Sequence, residues 1–351
     1  MVTRGRTLVV AAVLVLPWAA APAVAQSFKV DKVNIGGEGG HDYISVDPSD
    51  GHVFVSRGTH VMVVDPSNGK VLGDIANTPR VHGIAFATKY NHGFTTNGGD
   101  STSTMFDLKT LKELKRVHAG INGLDGIMYD DATEKILTIN HSNPGTAVVI
   151  DAKTGDVVST ITLSGAGPEG GVGDGKGRIF INLEDKNAID VVDTKTWKVT
   201  ATWPITACDG PTGIAYDRKT NRIFSGCSKK SVVVDAGSGK VVAELENGDG
   251  VDALGWDAAK KLIYIPAGRS GNVTVVRQDS PDKYTTVATV PTMVGAKTIV
   301  VDESKHVAYA VALEYGPPPA PTAGATPPAQ GRGRGPARGP VVGAWFMTIH
   351  Q

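Results

Sequence analysis

The chain has 351 residues, sets 35 basic side chains against 35 acidic ones, and holds 43 glycines but only two cysteines. Without Arg4, Arg6, Arg332, Arg334 and Arg338, which lie in two atypical segments, 30 basic residues face 35 acidic ones, a balance that excludes a general nucleic-acid binder. Abundant glycine, short apolar runs and little helical periodicity point to an all-β protein.

The chain opens with Arg4 and Arg6, an apolar run from Leu8 to Leu16, and the small residues Ala23-Val24-Ala25. That order predicts a signal peptide over 1–25, a mature start near Gln26, and a periplasmic or secreted protein. No later stretch has the roughly 20 consecutive apolar residues of a transmembrane helix.

The mature chain, 26–351, is repetitive. HDYISVD, VHGIAFA, DGIMYD, EGGVGD, TGIAYD, DALGWD and KTIVVD recur at spacings of 40 to 45 residues. Between them recurs a second landmark, VVDPSNGKV, MFDLKTLKE, VIDAKTGDV, VVDTKTWKV and VVDAGSGKV, decaying in the sixth unit to VVRQDSPDKY. Each unit holds four strand-like runs, a to d; in the fifth they fall at about 212–217, 222–226, 231–235 and 240–245. The a–b and c–d links carry Asp, Pro and Gly in turn-forming positions. Four antiparallel strands repeated seven times predict a seven-bladed β-propeller. The seventh unit has a, b and c runs at 297–302, 306–312 and 343–349 but no d run. FKVDKVNIGG resembles a d run, so residues 28–35 are expected to complete the last blade and close the ring.

The b runs HVFVSRG, HGFTTNGG, KILTINHS, RIFINLE, RIFSGCS and LIYIPAG, together with the V-x-D-x-x-T-G-K turn, resemble the YVTN-repeat, YncE-like family of bacterial seven-bladed propellers. Phe94-Thr95-Thr96-Asn97 and Leu137-Thr138-Ile139-Asn140 come nearest to the family tetrapeptide. The resemblance spans nearly all of the mature chain and implies the fold. It assigns no activity, because such propellers host many binding modules and fewer enzymes.

Strand alternation puts the a–b and c–d turns on one face and the b–c and d–a links on the other. With strand a innermost, its first residue lies at the mouth of the central channel. Asp42, His82, Asp125, Glu169, Thr212, Asp252 and Lys297 are therefore expected to form a ring of ligand-binding candidates. Lys297 is placed to neutralise Asp42 or Asp252. Asp42, His82, Asp125 and Glu169 come from consecutive blades and would repel unless something positive sits among them, which makes them candidates for one divalent cation. Arg57 and Arg269, in b–c links of the same face, are candidates for an anionic group, and His41, Asn97, His141, Asn182 and Glu184 join them there. His52, His92 and His306 fall on the far face.

Cys208 and Cys227 flank strands a and b of the fifth unit. They are expected to form a disulfide, the other reading being a reactive or metal-binding thiol pair. Residues 316–340, GPPPAPTAGATPPAQGRGRGPARGP, form a disordered Pro/Gly/Arg-rich insertion within blade seven on the mouth face. The leading expectation is a monomeric binding or scaffold module for a small molecule, metal, protein or polymer at the mouth, with nucleic acid disfavoured. The alternative is a lactonase-like, metal-assisted hydrolase or lyase in which His82 or His141 is the base and Glu169 its partner.

Overall fold

The computed structural model describes Met1 and residues 26–120, 123–318 and 339–351. The expected signal peptide and most of the 316–340 insertion lie outside the described residues. Seven four-stranded antiparallel sheets make up the fold, six of them in consecutive order. In the seventh, Lys29–Asn34 pairs with Val341–His350 in a register running from Lys29 opposite His350 to Asn34 opposite Trp345. The first described strand thus becomes the outermost strand of the last blade, and the ring is clasped by a long-range pairing.

The innermost strands are Ile44–Val46, Val81–Ala87, Leu124–Asp130, Pro168–Gly173, Ile214–Asp217, Gly255–Asp257 and Ile299–Asp302. Each touches the corresponding strand of the next blade, and the last touches the first, so they line a closed channel. Burial falls from the inside outward. The b strand Leu262–Ala267 is buried at every residue because neighbouring blades cover both its faces, whereas the d strand Lys198–Pro204 alternates between exposed and half-buried. The apolar content of the b runs follows from that sandwiching. Blade six departs from the pattern: its c and d strands extend to Asn272–Ser280 and Lys283–Pro291, joined at Pro281-Asp282. The decayed repeat there encodes a longer hairpin.

The repeated aspartates are turn-formers. Asp65, Asp107, Asp151, Asp193 and Asp235 each accept backbone N–H groups two or three residues onward. Four residues after each, the chain takes positive φ, at Gly69, Leu111, Gly155, Trp197 and Gly239. Glycine does so freely; Leu111 and Trp197 carry local strain that their packing offsets.

Candidate functional site

The a-strand starts converge, and most of their side chains are bonded to one another. Lys297 Nζ lies 2.6 Å from Asp252 Oδ2 and 2.7 Å from Asp42 Oδ1. His82 Nδ1 lies 2.5 Å from Asp42 Oδ2 and 3.6 Å from Asp125 Oδ1. His141 Nε2 lies 3.2 Å from Glu169 Oε1 and 4.0 Å from Asp125 Oδ2. The result is an arc of alternating acids and bases running from blade six through seven, one, two and three to blade four. His141, from the b–c link of blade three, inserts between Asp125 and Glu169.

Close approach of the inner strands brings these groups together. A Cβ at Gly126, the residue after Asp125, would stand 2.7 Å from the Glu169 carbonyl oxygen, and one at Gly170, the residue after Glu169, 2.9 Å from that of Thr212. Glycine is required there because any side chain would push adjacent blades apart. Belts of hydrogen bonds fix the same register: Thr298 donates to the Asp42 carbonyl (2.6 Å), Thr96 donates to that of Asp125, and Gly83 N–H donates to Thr96 Oγ1 (2.8 Å).

The electrostatics differ along the arc. Burial disfavours the Asp42 carboxylate, but the hydrogen bond from His82 and the charge of Lys297 prevail and hold its pKa at about 2. Lys297 is likewise raised, its burial outweighed by Asp252 and Asp42. On the other side, burial raises Asp125 despite His82, and burial with the nearby Asp125 charge raises Glu169 despite its contact with His141. Burial opposes the His141 imidazolium, yet the Glu169 contact lifts its pKa to about 9. His82 is raised because Asp42 and Asp125 outweigh its burial. The repulsion anticipated among the four ligand-capable residues of blades one to four is therefore relieved in large part by Lys297 and the two imidazoles.

No protein-family model and no curated protein sequence matches the chain. Its fold does match solved structures. Hydrazine synthase of Kuenenia stuttgartiensis aligns with a TM-score of 0.69 at 17% identity over 78% of this chain and 93% of that one. A chain of a mitotic checkpoint complex aligns at 0.70 and 16% over 87% and 96%. The WD40 repeats of RRP9 align at 0.74 and 10% over 91% and 98%. The chain is a seven-bladed β-propeller with structural neighbours of WD40 type. At these identities the likeness concerns the fold alone.

Several candidates of this propeller are engaged in contacts that leave them unavailable to a ligand, and the expected disulfide is formed. Arg57 is fully buried, and its guanidinium donates to the carbonyl oxygens of Gly36 (2.8 Å), Gly37 (2.9 Å) and Gly39 (3.2 Å). It pins the segment leading into blade one and has no surface left for an anion. Thr212 is buried too, its hydroxyl donating to the Val251 carbonyl at 3.2 Å, so it joins blades five and six and leaves the arc uncharged there. Arg269 is well exposed and faces Asp249 at 3.7 Å. Asn97 and Asn182 are buried: Asn97 bonds Thr102 and Thr104, and Asn182 donates to the Thr212 and Gly213 carbonyls. Cys208 and Cys227 are joined in a buried disulfide with Cα atoms 5.6 Å apart, which ties the link entering strand a of blade five to the end of its strand b.

One residue enters the site that the ring reading did not weigh, Tyr43, and one that it placed on the mouth face, His41, proves to be shielded there. Burial and the charges of Asp125, Glu169, Asp252 and Asp42 raise the Tyr43 phenol well above its ordinary pKa. Those carboxylates belong to blades three, four, six and one. The signal of Tyr43 in the sequence was an aromatic residue where most copies have glycine. His41 is held neutral, its pKa lowered to about 4 by burial and by Lys297, and its Nε2 is shielded from solvent without a partner.

Two concavities lie outside this arc. One of about 590 Å³ is lined by residues including His60, Pro79, Asp100 and Arg116, between blades one and two. Another of about 440 Å³ borders the clasp strand near Lys32, Asn68 and Lys305. The mouth itself carries a dense pattern of partly buried charge.

Proposed function

We propose that this chain is an exported, YVTN-type propeller acting as a binding or scaffold module, with the mouth of its channel as the binding face. One observation carries the reading: six ionisable side chains from six blades start their inner strands at the same level, and five of them contact one another directly or through Lys297. Burying charges together costs stability unless they pair, and a surface loop elsewhere would dissipate the same charges in water. The ligand favoured by this pattern is a small polar molecule with donors and at least one positive group, which would engage Asp125 and Glu169 beside the Tyr43 phenol. Support for export comes from the Arg-flanked apolar segment with Ala23-Val24-Ala25 and from the Cys208–Cys227 bridge, which suits an oxidising compartment. The V-x-D-x-x-T-G-K turns support the YVTN assignment. Among the described residues no helix is long and apolar enough to cross a membrane.

A thermal-shift screen of amines, sugars, nucleotides and short peptides tests this reading. A compound that stabilises the wild-type chain should lose its effect in Asp125→Ala and keep it in His60→Ala, which lies in the groove between blades one and two. Hits that ignore Asp125 and depend on His60 would move the binding face to that groove.

The second reading, a metal-assisted hydrolase or lyase at the same mouth, is favoured by the His141–Glu169 contact, since an imidazole beside a buried carboxyl is a usual proton-transfer pair. Turnover of lactone or ester substrates lost in His141→Gln would establish it.

A further inference from the structure

We propose that Asp125, His141 and Glu169 form a three-ligand site for one divalent transition-metal ion, Zn²⁺ in the first instance, on the side of the mouth away from Lys297. The proposal rests on the mouth being the binding face and names what that part of it takes. It replaces the quartet suggested by the sequence, which the structure divides into two trios sharing Asp125.

The donor atoms are gathered around a point. One carboxylate oxygen of Asp125, one of Glu169 and a ring nitrogen of His141 all lie within 4.8 Å of one another. Ligands of a tetrahedral zinc ion stand about 3.3 Å apart, given bonds of about 2.0–2.2 Å, so small side-chain rotations close the site. His141 Nε2 is shielded from solvent and has no aligned hydrogen bond, although Glu169 Oε1 is 3.2 Å away and Asp125 Oδ2 4.0 Å. The two carboxylates converge on the space beside the nitrogen.

The other trio, Asp42, His82 and Asp125, has its donor atoms equally close. Its central carboxylate, however, is already taken by Lys297 at 2.7 Å and His82 at 2.5 Å. A metal there would displace the imidazole and sit beside a fixed ammonium. In the His141 trio no ammonium stands beside the carboxylates among the described contacts, His82 approaches Asp125 only at 3.6 Å, and Glu184 adds further negative potential at His141. Asp125 directs Oδ1 toward His82 and Oδ2 toward His141, so it can offer Oδ2 without leaving its first neighbour. The scaffold is firm: the His141 N–H donates to the Gly123 carbonyl at 2.8 Å, and Gly126 holds the strands bearing Asp125 and Glu169 in contact. Two oxygens and one imidazole nitrogen suit Zn²⁺, Mn²⁺ or Fe²⁺ better than a purely oxygen-seeking ion. Three protein ligands leave a position open to the mouth for water or an anionic group.

The full chain, stripped with a chelator, is dialysed against Zn²⁺, analysed for bound metal, and titrated in competition with a chromophoric chelator. One zinc per chain is expected. His141→Ala and Glu169→Gln should each weaken binding by about 100-fold or more, beyond the 10–100-fold typical of losing a residue that only supports a ligand. His52→Ala, on the far face, should bind as the wild type does. In Co²⁺-loaded His141→Cys a thiolate-to-cobalt charge-transfer band should appear that the wild type lacks, a signature that mere misfolding does not produce. Less than a tenth of an equivalent of zinc in the wild type overturns the proposal, as does unaltered affinity in His141→Ala or loss of binding in His82→Ala with retention in His141→Ala. A chain that takes no zinc, yet whose screened ligand still depends on Asp125, refutes the metal and leaves the mouth reading standing. Zinc bound as expected, together with screened ligands that ignore Asp125, refutes the small-molecule reading alone.

Discussion

The two halves of the mouth solve the same problem differently. On one side, Lys297 bridges Asp252 and Asp42, and Asp42 also takes His82. On the other, Asp125 and Glu169 have only imidazoles between them. An ammonium keeps its charge across the physiological range, so the first half is a permanent ion-pair network. An imidazole can give up its proton or accept a different cation in its place, so the second half is the exchangeable one. A ring that alternates acids and bases is thus half structural and half available, and the difference lies in which base was chosen.

Lys297→Met should have the largest effect. It leaves Asp42 and Asp252 partly buried without their shared cation and should cost about 2–4 kcal/mol in urea unfolding, allowing for the partial exposure of the pair. A loss below about 0.5 kcal/mol would end the claim that this half is structural.

Paired amide substitutions come next. Asp42, held at about 2 from an ordinary 3.8, contributes about 2–3 kcal/mol at neutral pH, so Asp42→Asn should lose that much. Glu169, whose pKa burial raises, should tolerate Glu169→Gln within about 1 kcal/mol, because the neutral form is the one its site favours. Equal losses in the two variants would erase the asymmetry.

The pH dependence separates the halves again. His141 is raised from 6.5 to about 9, so its stabilisation is complete below pH 6.5 and is lost as pH rises through about 9. Glu169, with its pKa raised from 4.5 to about 7, also keeps in the folded state a proton that the unfolded chain releases earlier, so its contribution falls in the same direction but mainly between about pH 4.5 and 7, below this window. Stability should fall by about 1–2 kcal/mol between pH 6.5 and 9 after solvent screening, and His141→Gln should flatten the curve. The Asp42 contribution behaves oppositely: it is present above pH 3.8 and lost as pH falls through about 2.

The smallest effect concerns spacing. Gly126→Ala puts a methyl 2.7 Å from the Glu169 carbonyl oxygen and should cost about 1 kcal/mol or somewhat more as overpacking. Beyond that cost, it should weaken whatever binds in the Asp125–Glu169 half while leaving the Lys297 half intact, as chemical-shift changes would show.

Much of the architecture was legible because it is repeated. Seven a runs, five aspartate turns and one missing d run fixed the blade number, the strand order and the closure by residues 29–34. The level of the ring was legible as well, since strand direction alone puts the a-strand starts on one face. The fate of individual side chains was not. Arg57 and Thr212 read as surface groups by position, but one is consumed by three backbone carbonyls and the other by the seam between blades five and six. Tyr43, a neighbour of a candidate, gave no periodic signal because blade one alone carries it.

By itself, then, the sequence determined a period, a direction and a level, since these depend on backbone chemistry repeated every 40 to 45 residues. Only the tertiary structure decided which side chains meet. Pairing across the mouth depends on contacts between residues as far apart as Asp42 and Lys297, 255 positions along the chain, and on angstrom-scale approach between inner strands. Charge interactions vary so steeply with separation and burial that residues of one level become a permanent network on one side and an exchangeable cluster on the other.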